Sequence, residues 1–115
     1  MAESTLKQFK SPWMQYFMDY DPRPALEKVT CPVLVLFGEK DMQVPPKQNE
    51  KPMAEALKKG GNKDYTVKIF PGANHLFQKA LTGNPSEYAT LPKEFVPDFL
   101  EYITGWITQR VTVVK

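Results

Sequence analysis

The chain has 115 residues, 42% hydrophobic and 24% charged, enough for a single domain (1–115) with a modest core and too few for a second. Fifteen Lys and Arg against thirteen Asp and Glu give a net charge of +2 with the two signs interspersed, which leaves no basic stripe for nucleic acid. No apolar run approaches the roughly 18 residues that mark a membrane span, and the opening MAESTLKQFK has no signal-peptide core.

The first element is predicted in SPWMQYFMDY, with Ser11 as N-cap and Pro12 at the first helical position. Trp13, Tyr16, Phe17 and Tyr20 then fall at helical spacing and make an aromatic face that needs something to pack against. DPRPALEKV offers Asp21 as a cap and Pro22 at the start of a short connecting helix. The lone cysteine, Cys31, has no partner for an internal disulfide and is expected to be buried and inert just before an apolar run.

Residues 33–37, VLVLF, are apolar at every position, the pattern of a strand covered on both faces in a parallel sheet. A polar turn and a proline-rich helix follow, with Met53, Ala56 and Leu57 toward the sheet and Gly60 and Gly61 as its stop. A second strand at 65–70, YTVKIF, alternates, with Tyr65, Val67 and Ile69 on one face and Thr66, Lys68 and Phe70 on the other. Its lysine suggests an edge position. The helix-bearing connection makes the two strands a parallel pair in a right-handed β-α-β unit.

After a loop rich in Gly, Asn and Pro, VPDFLEYITGWITQR predicts a closing helix with Pro97 at its first position and Phe99, Leu100, Ile103, Trp106 and Ile107 buried. VTVVK ends the chain as either a frayed end or an added strand. The fold class is thus α/β, a parallel β-α-β unit with N-terminal and C-terminal helices.

Both polar loops leave the carboxyl ends of their strands, where open α/β sheets bind ligands. Asp41, four residues beyond the first strand, and His75, five beyond the second, therefore share one rim. Parallel neighbours lie about 4.8 Å apart, so the two side chains are within reach of each other. A carboxylate that accepts the imidazole Nδ1–H fixes its tautomer and leaves Nε2 to take a proton from a nucleophile. On spacing alone, a surface or packing role for the only histidine stays open.

The order CPVLVLFGEKDMQVPP, helix, VKIFPGANHLFQ, helix resembles the last third of the α/β-hydrolase family, particularly its bacterial serine esterase and dienelactone-hydrolase or peptidase-like branches. The family's acid lies in a G-x-x-D-x-x-x-P context, matched by Gly38, Asp41 and Pro45, and its histidine in G-x-x-H, matched by Gly72 and His75. The stretch before the first strand also looks like the family's. The resemblance implies a partial α/β-hydrolase fold, Asp41 and His75 as triad acid and base, an ester or amide substrate for the parent enzyme, and no cofactor or metal.

The family's nucleophile sits in G-x-S-x-G ahead of the acid. That motif is absent. Ser4, Ser11 and Ser86 lack the flanking glycines, and Cys31 lies at the opposite end of its strand, about 17 Å from the rim at 3.3 Å per residue. The chain is therefore expected to be a C-terminal piece of a serine hydrolase, inactive alone, with its compartment undetermined because a leader would be lost with the missing part. The unpaired edge of the first strand predicts a homo-oligomer, most simply a dimer that extends the sheet or exchanges helices. The alternative is a non-catalytic interaction or ligand-binding module that keeps the hydrolase rim and binds a partner or small ligand there, with the aromatic helix face as a binding face. A metal site of His75, Asp41 and Glu39 is a third and weaker reading, since one histidine without cysteines suits a transition metal poorly.

Overall fold

The computed structural model describes residues 10–111. Ser4 and residues 112–115 of the terminal VTVVK lie outside that range. Two parallel strands, β1 (Val33–Gly38) and β2 (Tyr65–Phe70), form the sheet, in register Val33 to Tyr65 through Gly38 to Phe70. The crossover between them is helix α3 (Pro46–Lys59). Helices α1 (Pro12–Asp19) and α2 (Arg23–Leu26) precede the sheet, and α4 (Phe99–Thr108) closes it. The fold is the expected partial α/β arrangement.

Each face of the sheet carries its own core. Val35, Phe37 and Leu57 are buried together on one side, with Leu26, Val29, Met53, Tyr65, Val67 and Ile69 packed against them. Phe70, Ala73, Val96 and Phe99 form the other, flanked by Leu36, Phe77, Tyr102 and Ile103. The alternation of YTVKIF thus sorts its residues as its period of two demands. Lys68 solves its half-buried position by lying over the rings of Phe70 and Tyr102, at 5.6 and 5.4 Å from their centroids.

Helix α1 begins as its sequence requires: the Ser11 hydroxyl accepts from the Met14 N–H at 3.2 Å, and Pro12 occupies the first turn. Trp13 stacks on Phe17 one turn later, yet no residue of α1 is buried. Helix α2 starts one residue later than expected, at Arg23, with Pro22 in the cap position. Asp21 still takes the Arg23 N–H, and its carboxylate also accepts from the Arg23 guanidinium, which holds its pKa down at about 2.

The two glycines after α3 do different jobs. Gly61 has φ 84°, the left-handed conformation that ends a helix, whereas a Cβ on Gly60 would lie 2.0 Å from the Glu27 carbonyl oxygen. Gly60 is there so that α3 and the end of α2 can touch. Beside it, the buried Asn62 amide donates to the carbonyls of Val29 and Cys31, tying the crossover to the approach of β1.

Three expectations are corrected. Cys31 is exposed, because it lies with Pro32 ahead of β1 and outside both cores. Helix α4 starts at Phe99 and not at Pro97, since Asp98 turns the chain through φ 69° immediately before it. Its inner face is Phe99, Tyr102, Ile103 and Trp106, while Leu100 and Ile107 are 60% and 47% exposed. A sheet of two strands, about 5 Å between axes, accepts only one narrow stripe of a helix about 10 Å across.

Candidate active site

The rim is assembled from two strand-ending loops that are laced together by backbone. Beyond β1, Glu39 N–H donates to the Phe70 carbonyl at 3.0 Å and Lys40 N–H to the Ala73 carbonyl at 2.8 Å. In return the Glu39 carboxylate accepts from Gly72 N–H at 2.9 Å. Lys40 Nζ reaches the Leu81 carbonyl at 3.1 Å, and Gly83 packs so closely on Lys40 that a Cβ would lie 1.9 Å from its carbonyl oxygen. These bonds fix the two loops relative to each other independently of Asp41 and His75.

Asp41 is 7% exposed, and its two oxygens are committed differently. Oδ1 accepts from the N–H groups of Gln43 at 2.8 Å and Val44 at 2.9 Å, a local turn that fixes the carboxylate plane. Oδ2 lies 2.9 Å from Nδ1 of His75. A carboxylate oxygen placed here suits an Nδ1–H donor, and a neutral ring in that tautomer keeps its lone pair on Nε2. The His75 side chain is 38% exposed, so the ring is held at one nitrogen and open to solvent on its other side.

The loop that carries His75 is a tight turn over residues 74–78. Asn74 N–H donates to the Gln78 carbonyl, and Phe77, at φ 59°, donates its N–H to the Asn74 carbonyl. Phe77 anchors the turn by stacking on Phe99 at 4.5 Å between centroids and meeting Phe70 edge-on. Further along, Glu87 braces the loop. Burial pushes its carboxyl up, but N–H donation from Gly83 and Thr82 outweighs this and lowers the pKa. Tyr88 donates its hydroxyl to Gln43 Oε1, and burial together with the nearby Asp41 charge raises its pKa.

The structure therefore brings Asp41 and His75 together and leaves the other candidates apart from them. Ser11 caps α1, Ser86 is exposed in the 3-10 turn Pro85–Ala89, and Cys31 precedes the far end of β1. Glu39 points at Gly72 and not at the pair, and no cluster of three or more metal-ligating side chains occurs among the described residues. Lys40 and Asn74 escaped the sequence reading, and Glu39 was weighed there only as a metal ligand, not as the acceptor for Gly72. Their partners lie in backbone of another loop or in a turn whose closure no local pattern announces.

A carboxylate and an imidazole on neighbouring loops at the carboxyl end of a parallel pair form the arrangement that the resemblance to the α/β-hydrolases implies. The match that defines its place there is to the model of the prolyl oligopeptidase family over residues 5–100, and the chain belongs to that family. Comparison with curated proteins and with solved structures found no match.

Proposed function

We propose that this chain is the acid–base portion of a serine hydrolase, with Asp41 as the triad acid, His75 as the general base, and a nucleophile supplied from outside it. The observation that carries this is the 2.9 Å contact between Oδ2 and Nδ1, made by a carboxylate whose other oxygen is already occupied. In the whole enzyme Nε2 takes the hydroxyl proton as the nucleophile attacks an acyl carbon. It then returns that proton to the leaving oxygen or nitrogen as the scissile bond breaks. Of the ester and amide substrates this chemistry allows, membership in an oligopeptidase family favours the amide.

Alone, the chain is inactive in this reading. Loss of the nucleophile from a serine hydrolase costs on the order of 10⁶ in turnover, and the residue of activity depends on an oxyanion hole and a substrate pocket. Hydrolysis of p-nitrophenyl acetate by the 115-residue chain and by its His75→Ala variant tests this. Equal, near-background rates are expected; a clear rate that disappears with His75 overturns the division into two parts.

One observation favours a second reading, a non-catalytic interaction module. Trp13, Tyr16, Phe17 and Tyr20 are each more than half exposed. In that case His75→Ala weakens ligand or partner binding, whereas an acid–base portion alone loses nothing measurable.

A further inference from the structure

Asn74 immediately precedes His75 and is fully buried in a loop. Its side-chain Oδ1 accepts from Leu76 N–H at 2.9 Å and from Gln78 N–H at 3.0 Å, while its own N–H and carbonyl bond to Gln78 and Phe77. One residue thus closes the turn from both its main chain and its side chain, with His75 inside the closure. The same carbonyl abuts β1 where a Cβ on Gly38 would lie 2.3 Å from it, three residues before Asp41. The side-chain Nδ2 is buried with no hydrogen-bond partner among the described residues. An amide is therefore retained here for its oxygen, and the unpartnered nitrogen is a cost of that choice.

We infer that Asn74 is the positioning residue of the pair: it sets the His75 ring against Asp41 by holding the peptide groups on either side of the histidine. Without the two bonds to Oδ1, the 74–78 turn loses the constraint that aims Nδ1 at Oδ2. The imidazole then returns to the tautomer mixture of a free ring. The inference rests on the acid–base reading of His75, and its test separates the failure of one from the failure of the other.

His75 is the only histidine, so two-bond proton–nitrogen correlation from its ring carbons reports both nitrogens without ambiguity, at a pH where the ring is neutral. The wild-type chain is expected to show the Nδ1–H tautomer in clear excess, and Asp41→Ala to abolish the excess. A wild-type ring with no such preference, or one indifferent to Asp41→Ala, overturns the pair itself. With the pair in place, Asn74→Leu is expected to lose the excess. Asn74→Asp, which keeps an oxygen at Oδ1, is expected to retain most of it.

Asn62→Ala is the control for a merely structural effect. Asn62 is a buried asparagine with three side-chain hydrogen bonds away from the rim. Its loss is expected to lower the melting temperature while leaving the tautomer ratio unchanged. If Asn74→Leu fails to fold, Asn74→Ala carries the comparison and is likewise expected to lose the excess. An unaltered Nδ1–H excess in the oxygen-free variant that folds, with the pair present in the wild type, overturns the inference, as does an equal loss in Asn62→Ala.

Discussion

A Cβ on Gly38 would lie 2.3 Å from the Asn74 carbonyl oxygen and 2.6 Å from that of Ala73. The strand that leads to Asp41 and the loop that carries His75 therefore meet through a residue without a side chain, and both of the atoms in the way are backbone. No rotamer change relieves such a clash; one loop has to retreat from the other. Forced overpacking costs about 1–3 kcal/mol. Gly38→Ala is expected to fall in that range in urea titration and, because the displaced atom belongs to Asn74, to disturb the Asp41–His75 contact as well. A variant with wild-type stability and an unchanged imidazole spectrum would show that the loops are not in contact there. Gly38 matches the first position of the G-x-x-D pattern, so here a motif glycine has a steric reason for being glycine.

At the scale of elements, α4 is fastened to the sheet at its carboxyl end by polar contacts as much as by packing. Arg110 donates to the Asp64 carboxylate through Nε and Nη2 at 2.7 and 2.8 Å and lies over the Trp106 ring, whose Nε1 donates to Thr66. The hydrogen bond from Arg110 is the largest cause that lowers the Asp64 pKa below its ordinary 3.8. A carboxyl depressed in the folded state stabilises above its unfolded value, and that contribution is lost as pH falls through the folded one. Arg110→Gln is thus expected to flatten the fall of melting temperature below pH 4, and equal acid sensitivity in both proteins would contradict the link. The strands and the inward face of α3 were legible because β1 is uniformly apolar and β2 alternates. The meeting of Asp41 and His75 was legible because each follows the carboxyl end of one of two neighbouring parallel strands. Leu100 and Ile107 misled because the stripe a helix buries depends on how wide a surface it meets. Asn74 was hidden because its bonds read locally as an ordinary turn, and the bracing role of Glu39, weighed only as a metal ligand, because its partner, Gly72, is 33 positions away.

At the scale of the whole molecule, the radius of gyration is 17.3 Å, whereas a compact domain of this length has about 13 Å. Two features of the surface have no partner among the described residues. One is the outer backbone edge of β1, where the half-buried Leu34 and Leu36 flank a groove that ends at Asp41 and His75. The other is the aromatic face of α1. An unpaired, flat, apolar strand edge pairs with whatever strand is available, and in a purified sample that is a second copy. Area sets the geometry. Four aromatics bury about 150–250 Å² each when wholly enclosed, so their exposed fractions on two copies give on the order of 1,000 Å², only the threshold of a specific interface. Helix contact alone is marginal, and antiparallel pairing of β1 with its two-fold mate adds the remainder. Sedimentation at tens of micromolar is therefore expected to give a dimer, and Leu34→Lys, which puts a charge into the groove at the strand edge, a monomer. A wild-type monomer would sink the prediction outright. A dimer that survives Leu34→Lys but not Trp13→Ala with Phe17→Ala would move the interface from the strand to the helix. Where β1 does pair with its mate, the groove beside His75 is filled by the second copy.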